Sequence, residues 1–365
     1  MRYRNGLVGV LLTFALPAAA AAGPKIFIAP LASHRPPVGL LVAASERGVT
    51  VTVRDERTDK SFTASALVGP EAEKGKGVFL AYATPKEEDL AGFMASAARD
   101  AVRVLGLKEG GDYHLEIVVR GFHVTMTRFS GFSPMNCLGY GRLTATLSGP
   151  DGTEVKSVTL DVAYYDGAVP KWHMEDVSDK AISRIYSLAA WQTVATVLRA
   201  AWGLEPDRTA VQAVAAKVDA QGDEDVAREM IFWLGLVAHG DEATTARLLA
   251  WVGSSHKQMV FQTSAEALGL LGVAEARERL QAALAGKKVG GWNATDDEQV
   301  WYLVHAMALL GEKDLQPLVP KDEIRMRSKI DELVAFHTSG TLPGPSSAEA
   351  NEIEAALKEL AKKRK

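Results

Sequence analysis

Cysteine is all but missing from this chain. Cys137 stands alone among 365 residues, so no intramolecular disulfide can form and the fold must be held by its cores. Long apolar runs are missing too. Beyond the N-terminus every helical stretch carries charges at helical spacing, which argues against a membrane span, since that needs about 20 apolar residues. Basic charge is not in excess either: 41 lysines and arginines face 45 acidic residues, a net charge of −4. A nucleic-acid partner requires a basic face and is not expected. The signatures HExxH, Gly-x-Ser-x-Gly, Walker loop and Cys-x-x-Cys are absent. Gly139-Tyr140-Gly141 is too short for a nucleotide fingerprint, and His114 and His123 lie too far apart for metal ligands. The expectation is a chain without enzymatic activity, catalytic residues, metal or cofactor.

The N-terminus is informative. Arg2 and Arg4 form a basic region, Leu7 to Leu16 an apolar stretch of ten residues, and Ala18 to Ala22 a small-residue flank before Gly23. That is the layout of a cleavable signal peptide over residues 1–22, with an uncleaved anchor as the alternative. Its removal leaves 39 basic against 45 acidic residues, a net charge of −6. The expected location is periplasmic or extracellular, and the shortage of cysteine favours a bacterial periplasm.

Residues 23–205 read as an α+β domain: a mostly antiparallel sheet with packed helices. Lys25 to Leu31 is a short β run. Gly48 to Arg54 alternates Val49, Val51 and Val53 with polar residues, the period of a half-buried strand. From Pro85, the apolar stripe Leu90, Phe93, Met94, Ala97, Ala101 and Leu105 predicts a helix that Gly106 stops. Tyr113 to Phe129 alternates again, and Gly121 marks a phase shift, the sign of a bulge. Strands at 140–147 and 154–164 flank the turn Gly149-Pro150-Asp151-Gly152, and a helix follows from about Asp176 to Trp202. In GVTVTVRDERTDK, the helix at 85–106, HLEIVVRGFHVTM, the hairpin and the closing helix, the chain resembles YajG-like lipoproteins of the bacterial outer membrane. The resemblance implies an envelope domain without known enzymatic activity. Those proteins carry a lipid-acceptor cysteine at the cleavage site; Ala20 to Gly23 contain none, so lipid anchoring is not carried over.

Residues 206–320 change character. Phe232-Trp-Leu-Gly-Leu recurs as Glu266-Ala-Leu-Gly-Leu-Leu-Gly and His305-Ala-Met-Ala-Leu-Leu-Gly, with spacings of 34 and 39 residues. A second amphipathic helix follows each copy. This resembles a short all-α solenoid of HEAT-like repeats, in which neighbouring hairpins bury each other's apolar faces. Such repeats imply protein binding in general terms. Residues 321–365 hold a charged helix, a breaker-rich linker at 340–347 and a final helix with Ile353, Leu357 and Leu360 on one stripe. Its basic end, Lys362 to Lys365, suits the helix dipole, with weak contact to a membrane surface as the alternative.

Two clusters could be sites. Asp55, Arg57 and Asp59 end the best-matched strand, as a polar contact for a partner or a solvated turn. His173, Glu175 and Asp176 open the long helix, where an enzyme would have its most suitable residues; helix capping and a solvated histidine are the plain alternative. Cys137 has no feature that lowers a thiol pKa and reads as a small buried hydrophobe, and Trp233, Trp251 and Trp301 read as core. The leading reading is a non-catalytic envelope protein that binds a protein partner. A small-ligand or glycan binder with a cleft between the domains, using Trp172 and Trp292, is the alternative, and an enzyme built on the His173 region a third. N-terminal sequencing of the exported protein should find its first residue between Ala20 and Lys25; recovery of the Met1 chain in membranes would show an anchor instead.

Overall fold

The computed structural model describes residues 25–28, 30–58, 60, 62–68, 78–84, 89–128, 135–169, 174–254, 258–287, 294–320 and 327–344, with shorter stretches between 351 and 362. The signal peptide expected over residues 1–22 lies outside the described residues.

The first half runs β1 (Lys25–Ile28), β2 (Gly48–Asp55), β3 (Ala64–Val68), β4 (Val78–Ala83), α1 (Leu90–Val104), β5 (Lys108–Glu109), β6 (Tyr113–Arg128), β7 (Met135–Ser148), β8 (Glu154–Val169) and α2 (Met174–Trp202). The sheet is mixed rather than mostly antiparallel. β6–β7, β7–β8 and β3–β4 are antiparallel, but β2 and β3 both run parallel to β6, β1 to β4, and β5 to β2. The reason is topological. α1 carries the chain back along the sheet, so β6 starts beside the start of β2 and runs the same way. It then continues past the end of β2 to pair with β3. Reading along the sequence missed β3, β4 and β5: Ala64–Val68 and Val78–Ala83 lack polar alternation, and β5 has only two residues.

Where alternation was present, the strands follow it. Leu115, Ile117 and Val119 of β6 are fully buried on the face under the helices. Val119 pairs with Leu143 and Gly121 with Arg142, leaving Arg120 as the extra residue of a bulge. Phe122, Val124 and Met126 then resume the buried face. The β7–β8 turn closes with Gly152 at φ +79°, and Asp151 Oδ1 accepts from Thr153 N at 3.0 Å. α1 starts at an Asp89 cap whose side chain accepts from Gly92 N. It ends at Gly106 with φ +74°, where a Cβ would stand 2.7 Å from the Ala43 carbonyl.

α2 is buried on every side from Ala181 to Ala195. It packs on β7, β8, α1 and α4 (Glu224–Val237). The remaining helices are α3 (Arg208–Ala220), α5 (Glu242–Ser254), α6 (Gln258–Leu271), α7 (Ala276–Ala285), α8 (Ala294–Leu309) and α9 (Arg327–Ser339). α4, α6 and α8 lie side by side, with α3, α5 and α7 in a second row. The recurring segment lies on α4, α6 and α8, and the glycine of its first two copies has a specific task. A Cβ on Gly235 would stand 2.7 Å from Ala267 Cα, and one on Gly269 would stand 3.0 Å from the Ala306 carbonyl. Each glycine lets the next inner helix approach at backbone distance.

The sheet and the helical array share one continuous core across residue 205. Trp191 lies against Trp233 at 5.4 Å, Tyr164 against Phe232 at 6.1 Å, and Tyr165 against Trp301 at 5.5 Å between ring centres. Among the described residues, no helix is long and apolar enough to cross a membrane. Gly269→Val should lower the urea midpoint by the equivalent of about 1–3 kcal/mol through overpacking. Gly222→Ala, with open space around it, should leave the midpoint nearly unchanged. Equal midpoints for both would mean that α6 and α8 are not in backbone contact.

Candidate functional site

The residues singled out from sequence are described only in part. Asp55 and Arg57 do come together, but the guanidinium is turned inward. Arg57 is only 7 % exposed, and its Nε and Nη2 each donate to Asp55 at 2.9 Å, a bidentate pair. Asp59, His173, Trp172 and Trp292 lie outside the described residues. Glu175 and Asp176 lie in the first turn of α2. Cys137 is buried, and burial pushes its thiol pKa well up, with Asp166 acting in the same sense. Trp233 and Trp301 are buried core, whereas Trp251 is half-buried and donates Nε1 to Asp219 at 2.9 Å.

Sequence reasoning missed a network of charges at the seam between sheet and array. Asp166 at the end of β8, Arg184 on α2, Arg228 and Glu229 on α4, and Glu266 on α6 are each between 3 and 7 % exposed. Arg228 Nη1 donates to Asp166 Oδ1 at 2.6 Å, and its Nη2 reaches the exposed Asp225 at 3.1 Å. Arg184 Nη1 lies 3.9 Å from Asp166, and its Nε lies 3.4 Å from Glu229 Oε1, off the line of a hydrogen bond. His34 stacks on Trp191 and brings Nε2 to 2.9 Å from Glu229 Oε1, also off-line. Burial raises the Asp166 pKa, but Arg228 and Arg184 outweigh it and hold the carboxyl below its usual range. Glu266 goes the other way: burial lifts it to about 7 against the pull of Arg184 and Arg228. The signal was present in the sequence, because Arg184 lies between Ile182 and Ile185 on an inward stripe. A charge there is either paired or prohibitively costly.

Beyond Glu266 the chain of polar groups continues through α8 and α9. His305 Nε2 lies 3.9 Å from Glu266 Oε1, and its Nδ1 lies 3.0 Å from His337 Nε2. Burial pulls His305 well below its ordinary pKa and His337 to about 4. The chain after α9 then crosses the outer face of the sheet. The Gly340 carbonyl accepts from Arg142 Nη2 at 3.3 Å, Leu342 fills the space left by Gly121, and Gly344 lies over the His123 ring. Ile353 is fully buried against Phe62 and Ala81. The uncovered part of that face is polar and satisfied internally, through Thr52–His114 at 3.0 Å, Thr146–Ser157 at 3.0 Å and Arg142–Asp161.

Two open concavities among the described residues lie on the helical side. Residues 31–40 are tied at both ends, by Ala32 N to Ser183 Oγ at 2.9 Å and Leu41 N to the Val104 carbonyl at 2.9 Å. Between these ties, Pro36 and Pro37 stiffen the segment and offer no N–H donor. Two clefts of about 310 and 230 Å³ separate it from α1 and share Asp100. Their α1 wall is one helical face: Asp89, Phe93, Ser96, Asp100 and Arg103. Leu31 and Val38 add apolar lining, and Leu40 is 45 % exposed at the rim. Among the described residues, no three His, Cys, Asp or Glu side chains are grouped to hold a metal.

Neither a protein-family model nor a curated protein matches the chain. Among solved structures, a DUF330 protein from Xanthomonas campestris superposes at a TM-score of 0.26 with 16 % identity, over 47 % of this chain and 95 % of that one. A superposition of that quality does not establish a common fold.

Removing one partner of a buried ion pair leaves an uncompensated charge. Arg228→Met should therefore cost about 3–5 kcal/mol in denaturant unfolding. Asp225→Ala removes only an exposed contact and should cost at most about 1 kcal/mol. Equal losses would mean that the seam charges are hydrated rather than sealed.

Proposed function

We propose that the protein is a non-catalytic component of the bacterial cell envelope that binds a protein partner through the groove between residues 31–40 and α1. The groove is the observation that carries this reading. It joins apolar lining from Leu31, Phe93 and Val38 to charged rims at Asp89, Asp100, Arg35 and Arg103. An apolar floor with a polar rim is the usual make-up of a protein contact. Two clefts in line along a helix suit an extended segment whose side chains enter one after the other. Asp166, Arg184, Arg228, Glu229 and Glu266 at the seam are each at most 7 % exposed, and His34, which meets Glu229, lines the groove.

The signal-peptide pattern supports a periplasmic or extracellular location. The resemblance of residues 23–205 to YajG-like envelope proteins, and of 206–320 to HEAT-like binding arrays, points the same way.

Placing a photo-activated cross-linking residue at Leu40 or Ser96 in the native host should trap a discrete protein. The same residue at Thr159, on the outer face of the sheet, should not. Identical products from all three positions, or none, would overturn the reading.

A further inference from the structure

The seam network has one carboxyl too many. Its two arginines are matched by Asp166 and Glu229: Arg228 bonds Asp166 at 2.6 Å, and Arg184 faces Glu229 at 3.4 Å and Asp166 at 3.9 Å. Glu266 is only 5 % exposed, and its carboxylate has no arginine or lysine within 4 Å among the described residues. The nearest basic atom is His305 Nε2 at 3.9 Å, on a ring whose other nitrogen is engaged with His337. The groups that act on it are Arg228 on α4, Arg184 on α2, Tyr164 on β8, and Tyr302 and His305 on α8, with His337 on α9 behind His305. None of them offers a spare positive charge. An ionised carboxylate here would be desolvated without compensation, which costs more than keeping the proton.

We propose that Glu266 is a buried proton site: it holds its proton while the seam between sheet and helical array is closed, and losing it loosens that seam. Placement makes the effect global. Glu266 lies on α6, the middle of the three inner helices. Its neighbours Tyr302 and Arg228 join the array to β8, the first through the Tyr165 carbonyl at 2.7 Å and the second through Asp166. A new negative charge at this point draws water into the Tyr165–Trp301 and Tyr164–Phe232 contacts.

The sign follows from linkage. The folded carboxyl gives up its proton near pH 7 and an unfolded one near 4.5. The folded state therefore binds the extra proton between these values, and stability falls as pH rises through that window. The buried histidines act oppositely: His337 and His239 are drawn down to about 4 and His123 to about 3 by burial, so stability falls as pH drops below 6.5. Comparison with Glu266→Gln, which mimics the protonated acid and leaves every histidine in place, cancels the second effect.

The melting temperature of Glu266→Gln should exceed that of the parent by a margin that widens from pH 5 to pH 8. A margin constant with pH would overturn the proposal. Should the variant fail to fold, the parent protein decides alone. With glutamate side-chain carboxyls labelled with ¹³C, one resonance should titrate near neutral pH, and acrylamide quenching of tryptophan emission should rise over the same range. If every glutamate carbon titrates near its ordinary value, or if quenching stays flat while one titrates near neutrality, the proton site is not the device described.

Discussion

A helix of 29 residues with a middle that nowhere meets solvent can exist only if it is covered on all sides. α2 sets that requirement, and most of the architecture answers it. β7 and β8 cover one side, α1 a second and α4 a third. A sheet and two helices in one layer would leave part of α2 in water. The helical array closes that gap, which is why the two halves share a single core. Trp191 tilted against Trp233, and His34 stacked on Trp191, show how closely the far side of α2 is covered.

Burying a helix that contains Arg184 has an electrostatic consequence. The guanidinium cannot reach water, so carboxylates must come to it, and they come from two different parts of the chain: Asp166 from the sheet and Glu229 from the array. The same constraint that joins the halves thus specifies how they are joined, since a slip of either element would strand a charge. Asp166, Glu229, Arg184 and Arg228 are engaged in holding the seam. What the molecule presents to its surroundings is different in kind: a satisfied polar sheet face, and a groove beside α1 held open by a proline-stiffened segment.

The period-2 stretches of β2 and β6, the stripe of α1, the bulge at Gly121 and the turn at Asp151-Gly152 were all legible along the chain, because each is decided by contacts within a few residues. The recurring Leu-Gly segment was legible as a repeat, but the reason for its glycine was not. Only the packing of α4 on α6 and α6 on α8 shows that Gly235 and Gly269 admit a neighbouring backbone. Arg57 looked like a surface charge because nothing local reveals that its neighbourhood is covered.

The sequence by itself determined the absence of an intramolecular disulfide, the division into β-containing and all-helical halves, and the residues that form each hydrophobic stripe. All of these follow from local composition and short-range periodicity. Tertiary structure alone decided strand direction, because α1 returns the chain so that β6 runs beside β2. It alone decided the seam network as well, because residues 34, 166, 184, 229 and 266 become neighbours only when α2 is enclosed. The balance of charge inside that enclosure depends on distances that no spacing along the chain encodes.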